Sequence, residues 1–344
     1  MAIHFPIVKL IMKHFLTTQD WSRAELQQIL ELAGHLKKSP FQSTLHQKSI
    51  ALLFLNSSMR TRTSFQLGAH QLGGLAIVLQ PGKDAWPIEF NPGVTMDGEA
   101  EEHISEVAEV LSRYCDLIAL RAFPKFQDWS KERTDPIIKA LAKHASVPVI
   151  NMETIVHPCQ EMAMMLTIQE HFGRDLSGKN FLLTWTWHPK PLNTAVANSA
   201  ILMASKFGMN VRLLIPSEAY LLDEQFMQSA KTNASDGRAA FDVFYDIETA
   251  YANADFVYAK SWGAIAHIGH PESEWELRKD QRHFIVDQSK MSLTNSALFS
   301  HCLPLRRNIK ATDEVMDASY CVAIQEAENR LHVQKAIMSH LVSL

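Results

Sequence analysis

The sequence predicts an α/β protein of two doubly wound parallel-sheet domains joined by helices. Two observations lead there. Apolar runs of strand length recur along the whole chain, and nearly every one is followed by a stretch of helical spacing, the alternation of βαβ units. In addition, 344 residues give each of two ordinary domains enough material for its own core. Composition then sets limits. With 47% hydrophobic and 20% charged residues the chain is globular, and a formal net charge of −4 offers no basic face to nucleic acid.

The elements follow in order. Residues 1–12 are apolar but interrupted by Pro6 and Lys9. They are too short to span a bilayer and read as a loosely held extension, with Met12 an alternative start and no membrane partner expected. Trp21, Leu26, Ile29, Leu30, Leu32 and Leu36 mark a helix over 19–38, behind a cap at Thr17-Thr18-Gln19-Asp20. A buried strand over 50–55 and a second over 74–79 flank a helix that opens with the hydroxyls and arginines of Ser58–Phe65 and whose helical pattern begins at Phe65, Leu67, Gly68, Ala69 and Leu72. The loop Pro81-Gly82-Lys83-Asp84-Ala85-Trp86-Pro87 precedes an expected helix over 101–114 that Glu101 opens. Strands over 116–121 and 147–152 enclose a helix around 137–144, and a helix over 158–171 bridges to a second series.

That series has expected strands over 181–186, 211–216, 241–245, 256–262 and 284–286, with helices over 193–207, 223–234 and 247–253. Residues 264–279 carry few periodic apolar positions and read as a loop, and a last helix covers about 327–342. Four scattered cysteines, Cys115, Cys159, Cys302 and Cys321, form neither a CxxC pair nor a secreted-type framework, which suits a reducing cytoplasm.

Ligands of such sheets sit beyond the carboxyl ends of the strands. The residues expected there are Ser58-Met59-Arg60-Thr61, Trp86, Arg121, His157-Pro158-Cys159-Gln160, Lys260-Ser261-Trp262 and His301-Cys302-Leu303-Pro304, drawn from both halves and so from a cleft between them. The stretch Ser58-Met59-Arg60-Thr61-Arg62-Thr63-Ser64-Phe65 reads in two ways. It is an anion site, with helix N–H groups, hydroxyls and guanidinium forks around a phosphate, or a helix cap followed by a solvated basic turn. No G-x-G-x-x-G, P-loop or G-x-S-x-G motif is present, and neither His157-x-Cys159 nor His301-Cys302 has zinc-ligand spacing, so no metal is expected.

The stretch Ser58–Phe65, then His157-Pro158-Cys159-Gln160, then His301-Cys302-Leu303-Pro304, in this order, resemble the motifs of the carbamoyltransferases that act on aspartate or ornithine. The resemblance implies transfer of a carbamoyl group from carbamoyl phosphate to an amine without a cofactor, in a homotrimer with sites at subunit borders. It implies a carbamoyl phosphate-binding domain over 1–156, onto which a helix of about 326–344 packs back, and an acceptor-binding domain over 157–325. Carried over, Ser58, Met59, Arg60, Thr61, Trp86, Arg121, His157, Gln160, Cys302, Leu303 and Arg330 would bind carbamoyl phosphate. Arg121, His157 and Thr61 would donate to the carbonyl oxygen, and Gln160 with the Cys302 and Leu303 carbonyls would accept from the amide.

On the acceptor side the sequence departs from the ornithine enzymes. Their Asp-x-x-x-Ser-Met-Gly segment corresponds here to Asp255-Phe256-Val257-Tyr258-Ala259-Lys260-Ser261-Trp262-Gly263, so a lysine stands where a free α-amino group would be repelled and a bare carboxylate welcomed. With Gln66 and the proline-rich Trp187-His188-Pro189-Lys190-Pro191-Leu192-Asn193, this resembles the branch of the family that acts on N-acetylornithine, whose chain is knotted by that loop. The resemblance assigns Glu153, Lys260, Arg306 and Lys310 to the acceptor, with Lys310 at a position carboxylated in that branch. Glu101 falls where acetyl is selected over succinyl, a site that is proline in the succinyl branch. A succinylornithine or ornithine enzyme, or a silent phosphate-binding paralogue, are the alternatives.

Overall fold

The computed structural model describes residues 12–344; the extension expected at the start of the chain lies almost wholly outside them. Two parallel sheets carry the fold. The first contains β1 (Ser49–Phe54), β2 (Leu75–Leu79), β5 (Leu117–Arg121) and β6 (Val149–Glu153) in the order β2-β1-β5-β6, and a separate short parallel pair joins β3 (Ile88–Glu89) to β4 (Glu102–His103). The second contains β7 (Asn180–Trp185), β8 (Asn210–Leu214), β9 (Phe241–Phe244), β10 (Phe256–Lys260) and β11 (Leu298–Ser300) in the order β11-β10-β7-β8-β9.

Parallel sheets are covered on both faces, and side chains alternate between them. Strand β1 shows this directly: Ile50, Leu52 and Phe54 join the large core that runs through both halves, while Ala51 and Leu53 join a smaller cluster with Ile118, Leu120 and Leu141. The helices Pro158–Phe172 and Ala195–Lys206 are buried on every side over most of their length. Such all-round burial marks them as interior helices of a large core.

The last helix, Ala323–Val342, packs on the helices Arg23–Lys38 and Met59–Gln71 of the first half and on the bridging helix Pro158–Phe172. Lys335 seals that contact, its Nζ donating to the carbonyls of Leu36 and Pro40 and to Gln71 Oε1 at 3.0, 3.2 and 2.9 Å. At the crossing with Met59–Gln71 a Cβ on Gly68 would lie 3.2 Å from Lys335 Cγ and Met338 Cε, which explains the small residue there. Among the described residues no helix is long and apolar enough to cross a membrane.

Four expectations need correction. The first helix begins at Arg23, where Ser22 and Glu25 form a capping box, and Thr18–Asp20 make a separate 3-10 turn. Glu101 does not open a helix: His103 caps the helix Ile104–Tyr114 after β4. The supposed loop 264–279 contains the helix Pro271–Arg278, whose inward positions are the ion-paired Glu274 and Arg278 rather than apolar side chains. Finally, the expected strand over 284–286 reduces to one bridge, Val286 to Ala311, and the sheet is completed instead by β11.

Candidate active site

The first wall of the site starts where β1 ends. Ser58 caps the helix Met59–Gln71, its Oγ accepting from the Thr61 N–H at 3.1 Å, so the free N–H groups of that helix open into the space beyond the sheet. Thr61 is buried, and its Oγ1 accepts from Arg330 Nη2 at 2.6 Å, which ties the last helix to the first half's strand end.

Arg121 closes β5 and Glu153 closes β6. A register shift after Leu120 sets the two opposite each other, where the Arg121 Nη1 donates to Glu153 Oε2. Irregularities of this kind re-aim a side chain at a strand end. The same carboxyl oxygen lies 3.3 Å from His157 Nε2. Burial, together with Arg330, Arg121, Lys260 and Arg60, holds the His157 imidazole well below its ordinary pKa, so it works as a neutral group. Gln160, one turn into the helix Pro158–Phe172, donates through Nε2 to the buried Glu326.

The second wall is irregular chain. β10 ends at Lys260, and β11 leads into His301-Cys302-Leu303-Pro304, where Leu303 adopts a left-handed φ of 50° before a cis proline bond. His301 Nδ1 accepts from the Leu303 N–H at 2.8 Å, which leaves the ring proton on Nε2. That nitrogen faces Lys310 Nζ at 3.5 Å, and the pair fits a neutral amine accepting from imidazole. Burial, aided by Lys260 and Arg306, pushes Lys310 down to about 7. The loop is held by Val286, whose N–H donates to the Lys310 carbonyl at 2.9 Å.

The two walls enclose a cavity of about 680 Å³. Its lining carries the basic side chains Arg60, Arg121, Lys260, Arg306, Lys310 and Arg330 against the single carboxyl of Glu153, in a protein whose net charge is negative. The Nε groups of Arg60, Arg121 and Arg330 are buried without a partner among the described residues. Buried donors of this kind call for an acceptor, and the arrangement suits a small polyanion. Among the described residues no group of three or more His, Cys, Asp or Glu side chains is placed to hold a metal ion.

Of the residues expected from sequence, Ser58, Met59, Arg60, Thr61, Arg121, Glu153, His157, Gln160, Lys260, Cys302, Leu303, Arg306, Lys310 and Arg330 all line this cavity. Trp86, Glu101, Pro158, Cys159, Ser261, Trp262 and His301 do not. Trp86 is 65% exposed, and the Glu101 N–H donates to the Pro87 carbonyl at 3.3 Å, so both sit on one projecting segment outside the chain's own cavity. Sequence reasoning missed His188, Leu192, Asn193 and Val196 as lining residues, although all but Val196 lie in the quoted proline-rich loop. The close approach that seats this loop is visible at Gly263, whose added Cβ would stand 2.7 Å from Pro191 Cβ. Glu326 was also missed; its only signal is the Glu326-Ala327-Glu328-Asn329-Arg330 run that carries Arg330.

A phosphate-type helix terminus facing a basic loop across two parallel sheets is the arrangement of a carbamoyl-transfer fold, and the family models agree. The carbamoyl-P binding domain of aspartate/ornithine carbamoyltransferase matches residues 13–170, and its Asp/Orn binding domain matches residues 183–341. The chain belongs to the aspartate/ornithine carbamoyltransferase family. Within it, the chain is 63% identical over 332 residues to the N-acetylornithine carbamoyltransferase of Xanthomonas campestris pv. campestris, covering 96% of this chain and 98% of that one. It is 34% identical over 322 residues to the N-succinylornithine carbamoyltransferase of Bacteroides fragilis, covering 93% and 95%. A crystal structure of acetylornithine transcarbamylase complexed with acetylcitrulline superimposes with a TM-score of 0.95 at 63% identity, covering 96% of this chain and 99% of that one.

Proposed function

We propose that this protein transfers the carbamoyl group of carbamoyl phosphate to the δ-amine of N-acetyl-L-ornithine, giving N-acetyl-L-citrulline and phosphate in arginine biosynthesis. The observation that carries this is the cavity itself: a capped helix terminus with arginines on one wall, and Lys260, Arg306 and Lys310 on the other. The much higher identity to an acetylornithine enzyme than to a succinylornithine one chooses the acceptor.

Ser58, Arg60 and the free N–H groups that open the helix at Met59 and Arg60 hold the phosphate, with Arg330 behind Thr61. The carbonyl oxygen takes its donors from Arg121, His157 and Thr61, where fixed donors stabilise developing negative charge most. Glu153 shares Arg121 and His157 with the substrate. Gln160 and the carbonyls of Cys302 and Leu303 accept from the carbamoyl amide. The acceptor's carboxylate is drawn to Lys260 and Arg306, which leaves its δ-amine near Glu153. Attack of the amine lone pair on the carbonyl carbon forms the new C–N bond. The carbon–oxygen bond to phosphate then breaks, and the departing phosphate takes the amine proton. Holding the two reactants together supplies a large part of the rate.

Trp86 and Glu101 act in a neighbouring subunit's site within a homotrimer, which accounts for their exposure. Glu101 there repels the second carboxylate of a succinyl group. Lys310 is carboxylated: an amine pushed to about 7 is substantially neutral at physiological pH and free to add carbon dioxide. The same reading takes in doubly wound domains over 1–156 (with the last helix) and 157–325, a knot made by the Pro189–Pro191 loop, and a cytoplasmic location suited to four free cysteines.

The test offers purified protein carbamoyl phosphate with ornithine, acetylornithine and succinylornithine in separate assays. Acetylornithine is expected to be the preferred acceptor. Equal or faster turnover of succinylornithine would overturn the role of Glu101, and no turnover of any acceptor would overturn the activity.

A further inference from the structure

Glu326, on the first turn of the last helix, is completely buried and lies just behind the cavity wall. Its Oε1 accepts from Gln160 Nε2 and from the Tyr258 hydroxyl at 2.8 Å, and its Oε2 accepts from the Ser300 hydroxyl. The donors come from a helix of the interior and from two strands, β10 and β11. Burial raises the carboxyl's pKa overall, and these three donors and Arg330, one turn further along the same helix, hold back part of that rise.

A glutamine amide is ambivalent. Its oxygen and nitrogen are nearly the same size, and a half-turn about the last side-chain bond exchanges an acceptor for a donor. A carboxylate offers only lone pairs, so a glutamine against it must present its NH2. With Nε2 committed to Glu326, the half that Gln160 can offer to the cavity is its oxygen. We propose that Glu326 is a positioning residue that locks the Gln160 amide with its oxygen toward the cavity, so that this wall selects an NH2 group on the bound acyl phosphate over a methyl group. The proposal rests on the reading of Gln160 as the acceptor for the carbamoyl amide.

The experiment measures binding of carbamoyl phosphate, acetyl phosphate and inorganic phosphate, which share the phosphate and differ at the amide. Wild-type protein is expected to prefer carbamoyl over acetyl phosphate. In Glu326→Gln, whose own amide lets the pair flip, that preference falls by about 3–10-fold, the worth of one neutral hydrogen bond, while phosphate binding stays within about twofold. A merely structural role would weaken all three ligands together, and that result overturns the proposal, as does a preference that survives the substitution. The exchanged pair, Gln160→Glu with Glu326→Gln, supplies a second arm. It restores an NH2 facing a carboxylate with an acceptor oxygen toward the cavity, and it recovers the preference that Gln160→Glu alone loses; failure to recover it also overturns the proposal. Wild-type protein with no preference at all would instead overturn the role of Gln160 itself, and with it the positioning role of Glu326.

Discussion

The two walls of the cavity are made differently. On the first-half side, Ser58–Thr61, Arg121, Glu153 and His157 all stand at ends of strands or starts of helices, and the charges are guanidiniums that no accessible pH removes. On the second-half side, Arg306 and Lys310 hang on irregular chain pinned by one bridge to Val286, and the amine of Lys310 is pushed to about 7. The first wall is therefore built on regular elements, whereas the second carries a lysine that, as a free amine, changes charge near neutral pH. In the proposed function the acceptor meets the second wall, where Lys260 ends a paired strand and Arg306 and Lys310 stand on chain outside the sheet.

Substitutions on the two sides test that division. The largest effect is expected on the first wall: Arg121→Met lowers kcat/KM by about 100–1,000-fold, the cost of one lost oxyanion donor, with little change in the factor between pH 6 and 9. A loss confined to the KM of the acceptor would place Arg121 on the wrong wall. Next, Lys260→Ala raises the acceptor KM by about 10–100-fold, as for a lost charge-assisted hydrogen bond, and leaves the carbamoyl phosphate KM nearly unchanged. Comparable loss of both affinities would erase the separation between the walls.

Lys310 gives a pH signature that the first wall lacks. Its folded pKa lies below its ordinary value, so between about 7 and 10.5 the unfolded chain binds more protons and stability rises with pH. In carbonate-free buffer, Lys310→Met is therefore most stabilising at or below pH 7. Its advantage shrinks as pH rises toward 10.5, by at most ~1.4 kcal/mol per pH unit, as denaturant unfolding at several pH values would measure. An advantage that grew with pH would mean the amine is charged where it lies. The smallest effect is expected at Ser58→Ala, which removes the cap of the helix Met59–Gln71 and costs ~1 kcal/mol in unfolding.

The contrast between the walls also governs what could be read from sequence. β1, β2, β5 to β8 and the helix terminus at Ser58 announce themselves because apolar runs, cap residues and arginines are local signals. The expected residues that line the cavity are those carried by such signals or by the family motifs. Residues 284–312 were harder. Phe284 and Val286 are apolar enough for a strand, but Val286 makes only a single bridge, and the three residues Leu298–Ser300 pair with β10 instead. The helix Pro271–Arg278 escaped because its buried face is an ion pair, which no hydrophobic period reports. Glu326 looks like a surface acid in a helical run, and only the convergence of Gln160, Tyr258 and Ser300 makes it interior.

The hydrogen bond from Arg330 to Thr61 spans 269 residues of sequence. At translation rates of about 5–20 residues per second, the interval between making the two is on the order of 10–50 s. Throughout that time the helices Arg23–Lys38 and Met59–Gln71 lack the last helix that packs on them, and Thr61 lacks its arginine. A nascent chain thus completes the wall at Thr61 only after the ribosome has passed position 330. Chains truncated before that point are expected to leave these helix faces uncovered, which limited proteolysis would measure.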